Sequence, residues 1–179
     1  MTRPSTARTT LTKARFFLAQ AEQVGPSQRE AFEAYLEAAI VFGRSVTFHI
    51  QKEYAHRPEF RPWYSHCQEM MGSDRMFGFF QGTRNFILKE GPAETRQVTT
   101  LSASLSACVV AGEPSAPPTV PPDVKIVPED PDSRVTRTYN LHFDDPAWID
   151  KPALEQLRKY LDKLEIIVNE AEAQYCGPG

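Results

Sequence analysis

No apolar run in these 179 residues approaches the 18 or so that a bilayer-spanning helix needs, so no membrane segment is expected. The opening residues, MTRPSTARTT, also lack the apolar core of a secretory signal. Cysteine is scarce. Cys67, Cys108 and Cys176 form an odd, scattered set without metal-ligand spacing, which points to reduced structural thiols and a cytoplasmic setting rather than a disulfide framework. There is no phosphate-binding glycine loop, HExxH pair, CxxC pair or nucleophile elbow. The commonest routes to metal, nucleotide and acyl-transfer chemistry are therefore missing, and no cofactor or metal is implied.

What is present suffices for one core. With 41% hydrophobic and 24% charged residues, the chain is long enough for a single domain carrying an elaboration. Charge is uneven: residues 1–97 hold 13 Lys+Arg against 10 Asp+Glu, while residues 98–179 hold 7 against 13. That asymmetry is too mild to indicate nucleic-acid binding by itself, but Arg44, Arg61, Arg84 and Lys89 could form a local basic cleft.

Periodicity assigns the elements. Residues 1–10 read as a flexible tail. Leu11, Ala14, Phe17, Leu18, Ala21 and Val24 mark an amphipathic helix stopped by Gly25-Pro26. Ser27 and Glu30 have capping-box spacing and open a long helix to about Tyr54, whose apolar face runs Phe32, Leu36, Ala39, Gly43, Val46, Ile50. Gly43 weakens that helix, so close approach of another backbone is expected there. A short helix follows from Pro62 to Met71, with Trp63 and Met70 facing inward and Tyr64 and Met71 beside them. The stretch from Ser73 to Pro92 joins the densest aromatic face, Met76, Phe79, Phe80, Thr83 and Ile87, to the compact motif Arg84-Asn85. It is expected to be a mostly buried helix, capped by Ser73 or Asp74, stopped by Gly91-Pro92 and central to the fold.

The period then changes to two. QVTTLSASLSACVV and RVTRTYNLHF read as paired strands, the second placing Val135, Tyr139, Leu141 and Phe143 on one side. Between them the proline-rich residues 113–133 exclude a helix and read as a solvated connection, VKIV as a short added strand, or a ligand for a protein partner. A last helix starts near Asp150 and Pro152. Its heptad seam Leu154, Leu157, Leu161, Leu164, Val168, Ala171, Tyr175 can dock in the same chain or pair with a second copy; same-chain docking is favoured because three heptads are a weak independent coiled coil. The expected fold is mainly α: an up-down helical bundle over residues 11–179, with residues 95–145 a β-hairpin insertion between the fourth and the C-terminal helix.

The run FGFFQGTRNFILKEGP, following a long helix with AAIVFGRSVTFHIQKEY, resembles the HEPN superfamily over about residues 11–92, especially bacterial members with an RNxxxHEG-like helix end. The resemblance implies a dimeric helical bundle of toxin–antitoxin or phage-defence systems. In many such proteins an Arg and a His four to six residues apart line a cleft at the dimer interface and cleave RNA without metal. Here Arg84 and Asn85 match the Arg and its polar follower, while Lys89 stands where the His would be. A solvated Lys stays charged and stabilises phosphate, but it does not exchange protons near neutral pH as imidazole does.

Three other pairs have the same spacing, Arg44/His49, Arg61/His66 and Arg137/His142, but roughly one such match is expected by chance in a sequence like this. Arg61 and His66 straddle the expected start of a helix and could converge. Each residue also has an ordinary role: Arg44 as an ion-pair partner of Glu37 or in a capping-type contact across the bundle, Arg84 as an anchor of a helix end or an interface, Lys89 as a cation at a helix C-terminus. The expectations are a homodimer through the long helices, RNA contacts from Arg84, Lys89 and Arg44, and RNA cleavage lost or weakened. A non-catalytic protein-interaction bundle, with a partner such as an antitoxin, and an active ribonuclease stay open.

Overall fold

The computed structural model describes residues 4–25, 27–104 and 134–175; the expectations for Cys108, Cys176, the 113–133 segment and the side chain of Arg137 lie outside what it describes. Five helices, α1 (Thr6–Val24), α2 (Arg29–Tyr54), α3 (Phe60–Ser73), α4 (Arg75–Lys89) and α5 (Ala153–Tyr175), form a bundle, with strands β1 (Thr95–Ser104) and β2 (Arg134–Phe143) between α4 and α5. The fold is mainly α with a two-stranded antiparallel hairpin. The chain divides into two compact units, Met1–Gln97 with Asn140–Gly179, and Val98–Tyr139.

Helix α1 starts earlier than periodicity suggested. Thr6 to Thr10, expected in the tail, are helical because Ser5 caps the first turn, its Oγ accepting from the Arg8 N–H at 3.0 Å. Arg8 then reaches across to α5, where Nη2 donates to Glu172 at 2.6 Å and Nη1 to Glu165 at 3.3 Å. Arg15 donates to Asp162 at 2.8 Å and Glu165 at 2.5 Å, and Glu22 pairs with Arg158. These partners recur every seven residues on both helices, which sets α1 antiparallel to α5. The helix ends at Gly25, whose φ of 68° lies in the left-handed region that glycine tolerates.

The long helix α2 is the hub, packing against α1, α4 and α5. Phe32, Leu36, Ala39, Gly43, Val46 and Ile50 are all buried, as the spacing predicts. Two expectations fail locally. Gln28 is the N-cap and no side chain bonds there, so the Ser27–Glu30 box does not form. At Gly43 the close neighbours are side chains rather than a backbone: an added Cβ would lie 2.9 Å from Leu161 Cδ2 and 3.1 Å from Tyr160 Cε1 of α5.

Helix α3 begins at Phe60, two residues before Pro62, and buries Phe60, Tyr64 and Cys67. Tyr64, expected at the margin of the inward face, is its buried centre, Trp63 and Met71 pack half-buried against the core, and Met70, expected inward, is exposed. The phase is set by the aromatic cluster of Tyr54, Phe60, Tyr64 and Tyr175, where the Phe60 and Tyr64 rings stack at 5.1 Å.

Asp74 joins α3 to α4 and caps the latter, Oδ1 accepting from the Met76 N–H at 2.8 Å while Oδ2 pairs with Lys163 of α5. Helix α4 is less buried than expected. Only Met76 and Phe80 are fully covered, and Phe79, Thr83 and Ile87 are half-buried. Phe80 stacks on Tyr160 at 4.4 Å and meets Phe143 at 5.8 Å, which seats α4 against α5 and the foot of β2. After Lys89 the chain is tied back to α2: Glu37 accepts from the Ala93 N–H at 2.8 Å and Glu33 from the Thr95 hydroxyl at 2.6 Å.

The α5 seam docks in the same chain. Leu157, Leu161, Leu164, Val168, Ala171 and Tyr175 are buried, and Leu154 half-buried, against α1 and α2. At the foot of β2, His142 is buried along with Leu141 and Phe143. Its Nδ1 lies 2.7 Å from the Ile149 carbonyl, an acceptor only, so Nδ1 carries the proton.

Candidate functional site

Arginine side chains are the chemistry the sequence singles out, and the helices separate them. Arg84 and Lys89 stand five residues apart on one regular helix, so their directions differ by about 140°. Arg84 is half-buried; its Nε is buried without a partner, and Nη1 donates to Asn85 Oδ1 at 3.1 Å, so this neighbouring pair is spent partly on itself. Lys89 is exposed at the last turn of α4.

Arg61 and His66 do not straddle a helix start. Both lie inside α3, both are exposed, and the same five-residue step turns them apart. Arg44 and His49 diverge likewise within α2, where His49 borders a small separate cleft with Thr6, Lys52 and Glu53. These three pairs do not converge within one chain; of the fourth, His142 is held by the Ile149 carbonyl, and the side chain of Arg137 lies outside the described residues.

Arg44 is placed differently from the rest. It does not pair with Glu37, which is engaged by Ala93. It donates to the Thr47 hydroxyl and lies 5.2 Å from the centre of the Phe48 ring. Among the described residues no carboxylate is within ion-pair distance of Arg44 or Arg84. A half-buried guanidinium without a counter-ion retains strong attraction for an anion.

Around Arg44 three helices build a cleft of about 340 Å³. Helix α2 gives Arg44 and Gln51, α3 gives Tyr64 and Gln68, and α4 gives Phe77 and Gln81. Gln51 Nε2 donates to the Tyr64 hydroxyl at 2.6 Å, which fixes both groups. Beneath lies Tyr160, wholly buried, its hydroxyl without a partner. Burial pushes its ionisation well above the ordinary phenol range, and the positive charge of Arg44 only partly opposes this.

The glutamines and Tyr64 were not singled out from sequence. A signal existed: Arg44 and Gln51 are seven apart, and Tyr64 and Gln68 four apart, so each pair shares a helix face. That the faces of three helices meet is not written in any one of them. Chemically the cleft offers a guanidinium, amide groups and a phenol, and among the described residues that line it there is no His, Cys, Asp or Glu.

Among the described residues, no group of three or more His, Cys, Asp or Glu is placed to hold a metal ion, and no helix is long and apolar enough to cross a membrane. The family model described as bacteriophage lambda protein ea47 matches residues 6–137, from α1 into β2. No curated protein and no solved structure matches the chain.

Proposed function

The chain belongs to the phage lambda ea47 family and is thus a phage-related protein; from its HEPN-like Arg84-Asn85 helix end and the Arg44 cleft, we propose that it is a HEPN-like bundle of a toxin–antitoxin or phage-defence module that binds RNA through that cleft without cleaving it efficiently. One observation carries the reading: Arg44 faces a cleft with no carboxylate partner, among side chains that donate hydrogen bonds but do not exchange protons. A phosphate gains a charge-assisted contact there, with Gln51, Gln68 and Gln81 as further donors. Attack by a 2′-hydroxyl needs a base and an acid near neutral pH, and neither Lys89 nor any His lines this cleft.

A homodimer in the cytoplasm is part of the same proposal. Phe48, 51% exposed beside Arg44, supplies an apolar contact through which two α2 helices can bring their clefts together.

Fluorescence anisotropy with a labelled single-stranded RNA tests the reading. Wild type should bind with marked salt dependence, and Arg44→Ala should bind at least about tenfold more weakly, the effect of losing one charged contact of about 1.4 kcal/mol. Unchanged binding by Arg44→Ala sinks it. So does RNA cleavage by wild type that Arg84→Ala abolishes, which would favour an active ribonuclease.

A further inference from the structure

Next to the Arg44 cleft along α4, and sharing Gly78 with it, lies a second groove, of about 390 Å³ and contrary character. Its apolar wall is Phe79, Phe86 and Phe143, the rings of Phe79 and Phe143 being 5.0 Å apart. Its rim is acidic: Glu94, Asp144 and Asp145. The Asp144 N–H donates to the Glu94 carbonyl at 3.1 Å, holding two of these residues side by side. Asp145 uses Oδ1 to accept from the Ala147 N–H and keeps its other oxygen. Among the described residues no cation lies within ion-pair distance of the three carboxylates.

The groove wall contributed by α4 carries Gly78 and Gly82, one turn apart. A glycine inside a helix costs about 1 kcal/mol relative to alanine. Gly43 has an internal reason for lacking a Cβ, since Leu161 and Tyr160 fill the space. Gly78 and Gly82 have none: no heavy atom lies within 4 Å of a Cβ added at either. Two weakened helix positions that the chain's own packing does not require, side by side in an aromatic groove, fit an occupant from outside that rests against the helix backbone.

We propose that this groove is a docking site for a basic, arginine-bearing segment of a protein partner. Charge complementarity selects that occupant. A planar guanidinium can stack on the Phe79 and Phe86 rings while its N–H groups reach Glu94 and Asp144, a combination that ammonium matches less well. RNA is disfavoured by three carboxylates. The chain's own proline-rich segment is disfavoured too, since Glu113, Asp123, Glu129, Asp130 and Asp132 face only Lys125 in charge count. The site goes beyond the RNA reading and does not depend on Arg44.

The test uses the full chain and a fluorescein-labelled peptide of alternating Gly and Arg, with a Gly/Glu peptide of equal length as control. The Arg peptide should bind and the Glu peptide should not. Gly82→Leu, which fills the groove while improving helix propensity, should weaken binding at least tenfold without lowering the thermal midpoint. Glu94→Gln with Asp144→Asn should do the same, and Arg44→Ala should change nothing. Equal binding by Gly82→Leu overturns the site by showing general charge attraction. A wild type whose self-association is abolished by Gly82→Leu overturns the occupant, because a second copy then fills the groove.

Discussion

Tyr160 and Gly43 meet where α2 crosses α5, and each makes the other's residue type consequential. The Tyr160 hydroxyl is buried with no partner, a position that costs the desolvation of a polar group and returns no hydrogen bond. Tyr160→Phe keeps the stacking on Phe80 and removes the unsatisfied group. Its stability should be unchanged or higher by about 1 kcal/mol in urea unfolding; a loss of that size would mean that the hydroxyl has a partner in solution. Gly43→Val should act the other way. Its Cβ falls against Leu161 and Tyr160, both without exposed surface, so overpacking should cost about 1–3 kcal/mol, read as a lower urea midpoint at unchanged slope.

At the scale of elements, the α1–α5 pairing rests on a charged seam beside the apolar one. Glu172 is its strongest point, accepting from Ser5 at 2.6 Å and from Arg8 at two positions. Burial opposes ionisation of this carboxyl, but the bonds from Arg8 and Ser5 outweigh it and hold its pKa below the ordinary glutamate range. A carboxyl depressed in the folded state binds fewer protons there than in the unfolded chain. Its stabilising effect is therefore complete above the ordinary glutamate pKa and is lost as pH falls through the folded value. Glu172→Gln should cost about 1 kcal/mol at pH 7 and flatten the decline in stability below about pH 4.5, measured by urea titrations at pH 7, 4 and 3. An identical pH profile for variant and wild type would assign the acid sensitivity to other carboxylates. The same seam explains why residues 6–10 are helical: Ser5 and Arg8 look like tail composition until α5 supplies their partners.

For the whole molecule, the helical unit holds the core and the candidate cleft, and residues 98–139 form a unit of their own. Among the described residues, the buried apolar core lies in the first unit. Replacing residues 98–139 by a short Asn/Gly turn should leave the thermal midpoint of the bundle within a few degrees, because a shorter loop also lowers the entropy cost of joining α4 to α5. Circular dichroism would record it. Loss of the cooperative transition would place part of the core's support in the removed unit.

The five helices, the hairpin and the α5 seam were legible because burial at three-and-four or two-residue spacing is a local property, carried by each segment wherever it packs. The divergence of Arg84 and Lys89 follows from the same helix geometry once α4 is seen to run to Lys89, although the sequence reading grouped them as RNA contacts. Local signals also misled where a partner overruled them: the Ser27–Glu30 box gave way to Gln28, and α3 took the phase that stacks Phe60 on Tyr64. Only the tertiary structure decided that α2 rather than α4 is the hub and that Arg44, Gln51, Tyr64, Gln68 and Gln81 border one cleft. It also decided that Gly43 faces side chains while Gly78 and Gly82 face open space. Those facts depend on how helices cross, and a crossing is set by two surfaces together, which neither segment encodes alone.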